Sequence, residues 1–370
     1  MYDFEAKKPE MVSLLKTLVE LESPSNQKAL VDRVGAFLAV ECQRRGAQVE
    51  MVPNEITGDH LIARWGSGSG GILLLHHMDT VFPAGTLERM PFYEKEERIF
   101  GPGVLDMKGG IVISLSAISA LQQTGELNRP VTVLVTSDEE IGSDTSHDLI
   151  RHLASEASLV LVMESGLLDG SLKTWRKGVG DFLIKVKGRA AHAGGAHEEG
   201  RNAIEELAHQ VLAIQKMTDY AKGTTLNVGV IQGGTVSNVV PEEASAIVDF
   251  RVLIPSEAER VSQAMQALQP VTPDTSLEVT GGLNRPPMPN DALMKATFEK
   301  AGRIAAGIGM QIKAGGSGGG SDGNFVAPLG IPLLDGMGTY GEGLHSEREY
   351  IFGRSLPERA ALTAALIKNW

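Results

Sequence analysis

The feature that most limits the fold is the short run at 72–76, which would make a strand with hydrophobic residues on both faces. Such a strand needs cover on both sides, as in the sheet of an α/β domain. Apolar runs at 131–136 and 159–163 alternate with helical patterns at 110–123 and 143–154. Strands that alternate with helices in this way predict a mostly parallel, doubly covered sheet.

The hydrophobic pattern changes in the middle of the chain. Residues 179–187 and 244–252 alternate between apolar and polar side chains, which is typical of an antiparallel sheet with one exposed face. Helical runs at 200–216 and 256–269 lie beside these strands. We therefore expect an inserted α+β domain at 178–287, joined through the linker NRPPMPN to a first domain made of 1–177 and 288–370.

Composition narrows the classes of partner. The chain of 370 residues has a net charge of -12 and no basic stripe, which argues against a nucleic-acid binder. The single cysteine, Cys42, cannot form an intramolecular disulfide.

The first ten residues show no apolar core of a signal peptide, although such a segment could have been removed. We also expect no apolar run near the ~18 residues of a membrane span, and hence a cytoplasmic protein without a membrane partner.

Side chains that bind metals gather at the carboxyl ends of the predicted strands, where ligands collect in open α/β sheets. These positions are His77, Asp106, Glu139, Glu140 and Glu164, with His345 far downstream. Together they offer enough nitrogen and oxygen ligands for two zinc ions.

Each of these positions has an ordinary reading when it is taken alone. His77 and Asp79 could sit in a surface turn, although residues two apart on an extended segment share a side, so Asp79 could orient a ligating His77. Asp106 could be a helix N-cap rather than a carboxylate that bridges two cations. Glu139 and Glu140 could lie in a solvated loop, but at a buried strand end they would repel each other unless cations balanced them.

Six motifs along the chain resemble those of metallopeptidase family twenty. They are HMDTV, GPGVLDMKGG, TSDEEIGS, GRAAHAG, SNVVPEEASAIVDFR and LHSEREY. The family includes bacterial glutamate carboxypeptidases, acetylornithine deacetylases, aminoacylases and tripeptide peptidases. The resemblance implies a zinc-binding catalytic domain with an inserted domain for dimerisation, and so a homodimer.

The resemblance also implies a role for each metal-site residue. One zinc would be held by His77, Asp106 and Glu164. The other would be held by Asp106, Glu140 and His345, with Asp106 bridging the two ions. Asp79 would support His77, and Glu139 would be the general base that deprotonates the metal-bridging water. Cobalt or manganese could take the place of zinc.

Four further residues are implied to act on substrate. His192 would reach the active site of the partner subunit and help to hold the oxyanion. Asn238 and Arg251 would bind substrate, and an arginine can clamp a carboxylate through two hydrogen bonds. Arg285 resembles an arginine that holds the substrate carboxylate in glutamate carboxypeptidases.

The glycine-rich run GGSGGGSDG at 315–323 has the composition of a flexible loop. It lacks the Gly-Lys-Ser/Thr ending of a phosphate loop, which argues against nucleotide binding there. It resembles the family's glycine-rich segment that lines the substrate site.

The sequence predicts a zinc-dependent hydrolase that cleaves an amide bond next to a carboxylate-bearing amino acid, foremost a glutamate carboxypeptidase. The alternatives are an N-acyl amino acid deacylase and a di- or tripeptidase. A catalytically inactive binding relative is a third class, which the intact ligand set disfavours. An oxidoreductase is disfavoured because no dinucleotide fingerprint is present.

Overall fold

The computed structural model of this protein describes residues 2–370, which divide into two compact units. The first unit contains the chain up to Trp175, together with Asn290–Ser317 and Ser321–Trp370. The second contains Arg176–Pro289 and the short piece Gly318–Gly320. The first unit is therefore discontinuous in sequence.

Helices and strands follow one another along most of the chain. The helices are α1 (Lys8–Glu20), α2 (Lys28–Arg44), α3 (Gly109–Gln123), α4 (His147–Ser155), α5 (Ala203–Gln215), α6 (Pro255–Gln266), α7 (Ala292–Ala306), α8 (Gly323–Val326) and α9 (Ser355–Asn369). The strands are β1 (Gln48–Val52), β2 (His60–Trp65), β3 (Ile72–His77), β4 (Tyr93–Lys95), β5 (Arg98–Phe100), β6 (Val131–Thr136), β7 (Leu159–Val162), β8 (Leu172–Arg176), β9 (Gly178–Lys187), β10 (Thr225–Gly233), β11 (Glu243–Val252), β12 (Ser276–Arg285), β13 (Ala314–Ser317), β14 (Leu333–Leu334), β15 (Gly341–Glu342) and β16 (Tyr350–Phe352).

The main sheet of the first unit has the strand order β1-β2-β6-β3-β7-β14. Strand β3 pairs in parallel with β6 and β7, and β14 pairs in parallel with β7. The other edge is antiparallel, because β2 runs against both β1 and β6. All six residues of β3 are buried, so both faces of the sheet are covered at this strand. The predicted α/β class with a mostly parallel sheet is confirmed.

The parallel strands bring three candidate side chains to one edge of this sheet. His77 is the last residue of β3, and Glu139 begins a short 3-10 turn three residues beyond the end of β6. Glu164 follows the end of β7 by two residues. Because parallel neighbours end at the same edge, residues far apart in sequence lie close together.

One apolar segment corrects an expectation from the sequence. Val104–Gln123 is long and apolar enough to cross a membrane, by length and composition only, whereas no such run was expected. Within its most apolar stretch, 83% is buried inside the protein, as in a core helix. The backbone is also not helical at Asp106 and Met107, so the regular helix is the shorter Gly109–Gln123.

The second unit is built on an antiparallel sheet with the order β10-β11-β9-β12. Alternate residues of β9, among them Phe182, Ile184 and Val186, are buried in a core shared with α5 and α6. The alternation read from the sequence is therefore the buried face of this sheet. Strands β10 and β12 were not predicted, and β12 takes in Asn284 and Arg285, the first two residues of the expected linker.

A small sheet in the first unit has the order β15-β16-β5-β4. Strand β16 runs antiparallel to β5 and starts directly after Glu349. This pairing fixes the segment that carries His345 and Glu349, because both residues lie between β15 and β16.

Candidate metal centre

His77 is oriented by the chain that follows it. Its side chain is 1% exposed, and Nδ1 lies 3.0 Å from the Asp79 carbonyl oxygen and 3.4 Å from Asp79 Oδ1. Both neighbours accept the Nδ1 proton, so Nε2 is the ring nitrogen that a metal would bind once it had lost its own proton. Nε2 faces Asp106 Oδ1 at 3.1 Å and Glu164 Oε1 at 3.3 Å.

Asp106 stands between two histidines. Its Oδ1 faces His77 Nε2 and its Oδ2 faces His345 Nε2, each at 3.1 Å. Burial opposes the charge, but hydrogen bonds from His345 and His77 outweigh burial and hold the pKa of Asp106 well below its usual range. Asp106 is not the N-cap of α3, since that position belongs to Lys108. The ordinary alternative for Asp106 is therefore wrong, and one carboxylate oxygen is available on each side for a separate cation.

His345 reaches the site from a loop residue with a left-handed backbone. Its φ is +59°, uncommon for a residue with a side chain, and its Nε2 also lies 3.4 Å from Glu140 Oε2. Hydrogen bonds with Asp106 and Glu140 raise the pKa of His345 to about 11. This raised pKa reflects the strongly negative field that surrounds the ring and would equally attract a cation.

Glu140 supplies the clearest sign that a cation belongs here. Its side chain is only 5% exposed, and burial raises the pKa of Glu140 to about 7 in spite of His345. Its Oε1 is buried without a hydrogen-bond partner among the described residues. A buried carboxylate oxygen with no donor is costly, and a metal ion would satisfy it.

Two overlapping groups of these residues place one ligand atom each within 4.8 Å of one another. They are His77, Asp106 and Glu140, and His77, Glu139 and Glu164. Imidazole nitrogen and carboxylate oxygen at this spacing are the ligands that zinc uses in catalytic sites. The residues present therefore fit a pair of metal ions such as zinc, which would balance the charge of the buried carboxylates.

Asp79 links the histidine to the two glutamates. It is fully buried, and its oxygens face the backbone N–H groups of Glu139 and Glu140, each at 3.3 Å. The hydroxyl of Ser25 donates to Asp79 Oδ2 at 2.7 Å. The carboxylate of Asp79 thus holds the turn that carries both glutamates, as well as lying beside His77.

The sequence reading missed two supporting residues, Ser25 and Glu349. Glu349 is fully buried, and its Oε1 accepts hydrogen bonds from the backbone N–H of Leu105 at 2.7 Å and of Asp106 at 3.2 Å. Burial, followed by the charge of Asp106, raises the pKa of Glu349 to about 8. Glu349 lies inside the motif LHSEREY, and that position was the available signal. No sequence signal marked Ser25.

In the second unit, the structure brings His192 and Asn238 together. Val239 forms a β-bridge with His192, and the Ala193 N–H donates to the Asn238 carbonyl at 3.0 Å. The Nδ1 of the exposed His192 accepts from the N–H groups of Gly194 and Gly195, at 3.1 and 3.0 Å. A neutral His192 therefore carries its proton on Nε2, as a donor.

The two candidate arginines of the second unit differ in their surroundings. Arg251 is a third exposed and forms a bidentate pair with Asp249, two residues away on the same face of β11. Its guanidinium is therefore already engaged by a carboxylate of its own strand. Arg285 is 6% exposed, donates to Asn284 Oδ1 at 3.0 Å and packs against Gly320, where a Cβ would come within 2.8 Å of its Cδ.

The sequence matches one family model and resembles characterised hydrolases. A model of the family described as Peptidase family M20/M25/M40 matches residues 73–369. Carboxypeptidase G2 of Pseudomonas sp. strain RS-16 is 30% identical over 378 residues, covering 98% of this chain and 90% of its own. Acetylornithine deacetylase of Proteus mirabilis strain HI4320 is 28% identical over 269 residues, covering 67% of this chain and 68% of its own.

The fold has solved counterparts. The crystal structure of aminopeptidase PepT from Bacillus cereus ATCC 10987 superposes with a TM-score of 0.78 and covers 98% of each chain. The two sequences are 23% identical, so this likeness concerns the fold alone.

Proposed function

Because this chain belongs to peptidase family M20/M25/M40, a family of dinuclear metallopeptidases, we propose that it is a dizinc exopeptidase that removes a C-terminal glutamate. The resemblance to family twenty read from the motifs is confirmed. The observation that carries the dizinc proposal is Asp106, whose two oxygens face His77 and His345, each at 3.1 Å. A carboxylate placed in this way could serve two cations at once.

The first unit is the catalytic part in this proposal. Zinc bound by His77, Asp106, Glu164, Glu140 and His345 would lower the pKa of water and polarise the scissile carbonyl. Glu139 takes the proton from the attacking water and returns it to the leaving amine. Asp79 supports both roles, because it contacts His77 and the backbone of Glu139.

The second unit supplies the oxyanion donor. The N–H groups of Gly194 and Gly195 occupy Nδ1 of His192, so its Nε2–H is directed away from the loop that holds it. A neutral donor of this kind stabilises the charge that develops on the carbonyl oxygen. Since His192 is exposed in a single chain, we assign its action to the active site of a partner subunit.

The proposed homodimer forms through the second unit. Strand β10 is an edge strand, and its Val230 and Ile231 are 44% and 55% exposed. On α5, Leu212 is 63% exposed. An uncovered apolar edge invites pairing with another chain, and a second copy of β10 and α5 would cover it.

The preference for glutamate rests on the branch of the family that the motifs resemble. The 30% identity to carboxypeptidase G2 extends over 98% of the chain and so includes both units. Arg285 is the residue assigned to the substrate carboxylate, with Asn238 and Arg251 as further substrate-binding residues. A guanidinium matches the planar carboxylate through paired hydrogen bonds.

An N-acyl amino acid deacylase is the second candidate. The similarity to an acetylornithine deacetylase favours it, over two thirds of the chain. Both candidates use the same metal site and the same base, and they differ in the part of the substrate that the pocket recognises.

The deciding experiment measures amine release from a panel of N-acyl amino acids and short peptides, using zinc-loaded protein. Folate-like conjugates and dipeptides ending in glutamate are compared with matched substrates ending in glutamine, lysine or alanine. Glutamate and glutamine have nearly the same shape but differ in charge and in one hydrogen-bonding group, so a preference of about 10²-fold or more reports recognition of the side-chain carboxylate.

Selective cleavage before glutamate would support the carboxypeptidase proposal. Cleavage of short N-acyl amino acids instead would move the protein to the deacylase. Absence of turnover from every substrate, with two zinc ions bound, would reject both and leave the inactive relative.

A further inference from the structure

One buried carboxylate spans both ends of the loop that carries Glu139 and Glu140. Asp322 Oδ1 accepts from the hydroxyl of Ser143 at 2.5 Å, beyond the two glutamates. Asp322 Oδ2 lies 3.2 Å from the hydroxyl of Thr136, the last residue before the loop. Asp322 is 3% exposed, and both hydroxyl residues are fully buried. Water therefore does not compete for these hydrogen bonds.

The far end of this loop needs such support. Gly142 and Ser143 have φ values of +110° and +59° in succession. A residue with a Cβ adopts the left-handed region unfavourably and stays there only where its surroundings determine it. Ser143 is such a residue, and its side chain is held by Asp322 while its N–H donates to the Asp138 carbonyl at 2.8 Å.

Asp322 itself is held by the end of the glycine-rich run. The hydroxyl of Ser321 donates to Asp335 Oδ2 at 2.7 Å, and it accepts from the N–H of Gly323 at 3.1 Å. Asp322 directly precedes the short helix α8, whose Phe325 ring lies 5.9 Å from the ring of His147 on α4. The segment is therefore anchored, and it is not the flexible loop that its composition suggests.

We propose that Asp322 is a positioning residue, which fixes the distance between the two ends of the loop at 137–143 and so keeps Glu139 and Glu140 at the metal site. Of the two hydrogen bonds to Asp322, the one from Ser143 is the stronger, because the hydroxyl of Thr136 is shared with the His76 carbonyl, also at 3.2 Å. The inference rests on the proposed function only in its kinetic test.

The first test measures amide hydrogen exchange in the metal-free protein, which needs no substrate. Asp322→Ala is compared with wild type, with Ser143→Ala and with Thr136→Val. Thr224→Val is the matched control, because the buried Thr224 hydroxyl donates to the buried Glu257 carboxylate in the second unit. We expect exchange at 138–143 to be faster by roughly 10-fold or more in Asp322→Ala, and less affected in Thr136→Val.

This exchange result separates positioning from general stability. Faster exchange confined to 138–143 supports the proposal, whereas unchanged exchange there, or equal acceleration throughout the first unit, overturns it. If Asp322→Ala does not fold, Ser143→Ala gives the same reading, because it removes the stronger contact alone.

The second test separates kcat from KM with the substrate that the panel identifies. With two zinc ions bound, Asp322→Ala should lower kcat by roughly 10-fold or more and change KM by less than about twofold, since the base is displaced while the substrate contacts stay. The double variant with Ser143→Ala should be no slower than Asp322→Ala alone. Additive losses, or an unchanged kcat, would contradict the role. A wild type without turnover would refute the proposed function and leave the exchange result standing.

Discussion

Asp79 shows how much of the site can depend on one side chain. Its carboxylate accepts from Ser25 and faces the N–H groups of Glu139 and Glu140, while its carbonyl oxygen faces His77. Replacement of Asp79 would therefore disturb both His77, the proposed metal ligand, and Glu139, the proposed base. The role of a single residue is therefore better tested by replacing Glu139 than by replacing Asp79.

Glu139→Gln is the direct test of the general base. The amide keeps the shape of the side chain and cannot take a proton, so we expect kcat to fall by about 10²-fold or more while both metal ions stay bound. Steady-state kinetics and metal content by atomic emission check the two halves of this expectation. One carboxylate oxygen of Glu139 also lies within 4.8 Å of a ligand atom of His77 and one of Glu164, so Glu139 could itself bind a metal ion. Loss of one metal ion from Glu139→Gln would make it a ligand instead.

Glu349 gives a pH-dependent prediction in the metal-free protein. Its pKa is raised from the ordinary value of 4.5 to about 8, so the folded state favours the protonated form. That contribution to stability is complete below pH 4.5 and is lost as the pH rises toward 8. Glu349→Gln keeps an acceptor for Leu105 and Asp106 but does not titrate.

Between pH 5 and 8, the melting temperature of chelated wild type should therefore fall relative to that of Glu349→Gln. Differential scanning calorimetry of both proteins measures the difference, in which other titrating groups cancel. Parallel curves for the two proteins would show that Glu349 is not protonated by its burial.

Among the elements, the strands that carry three of the five proposed metal ligands could be predicted from the sequence. Strands β3, β6 and β7 are mostly apolar because they are covered on both faces, and such runs are recognisable without knowing their neighbours. The proposed ligands His77, Glu140 and Glu164 lie at or shortly after the ends of these strands. The motifs and the strand ends therefore located the same residues independently.

Strands β10 and β12 could not be predicted because their partners define them. Most of β10 is exposed at the sheet edge, so burial imposes little pattern on it. Strand β12 contains the pair Gly281–Gly282, which interrupts any alternation. Gly281 has a φ of +110°, and a Cβ there would lie 2.3 Å from the Asp181 carbonyl oxygen of β9. Only the pairing of β12 with β9 explains why position 281 is a glycine.

The hydrogen bonds that support the site could not be predicted either, because the residues that form them are far apart in sequence. Ser25 and Asp79 are 54 positions apart, and Ser143 and Asp322 are 179 apart. Such pairs depend on how the elements pack, and no local pattern marks them. The glycine-rich run was predicted as a flexible loop from its composition, whereas its last residues hold a buried carboxylate.

At the scale of the whole molecule, the proposed action of His192 on a partner subunit can be tested by mixing inactive chains. Glu139→Gln lacks the base and His192→Ala lacks the oxyanion donor, so each homodimer should be nearly inactive. A mixed dimer contains one site with both groups, and we expect at most about a quarter of the wild-type activity after random exchange of equal amounts, on the symmetry of a twofold dimer.

Subunit exchange is verified separately by mass spectrometry of differently tagged chains. Ile56→Lys provides the control for nonspecific effects on association, because Ile56 is 78% exposed in the first unit and should not alter exchange. Complete exchange without recovery of activity would place the whole site in one chain.

The dependence of activity on two metal ions can be measured by reconstitution of the stripped protein. The protein is stripped with a chelator and titrated with zinc, while bound metal and amide hydrolysis are measured in the same samples. We expect no activity in the stripped protein, two zinc ions bound per chain at saturation, and full activity only as the second ion binds. Hydrolysis by a preparation shown to be free of metal, or full activity with no zinc at the proposed ligands His77, Asp106 and His345, would rule out the two-metal site.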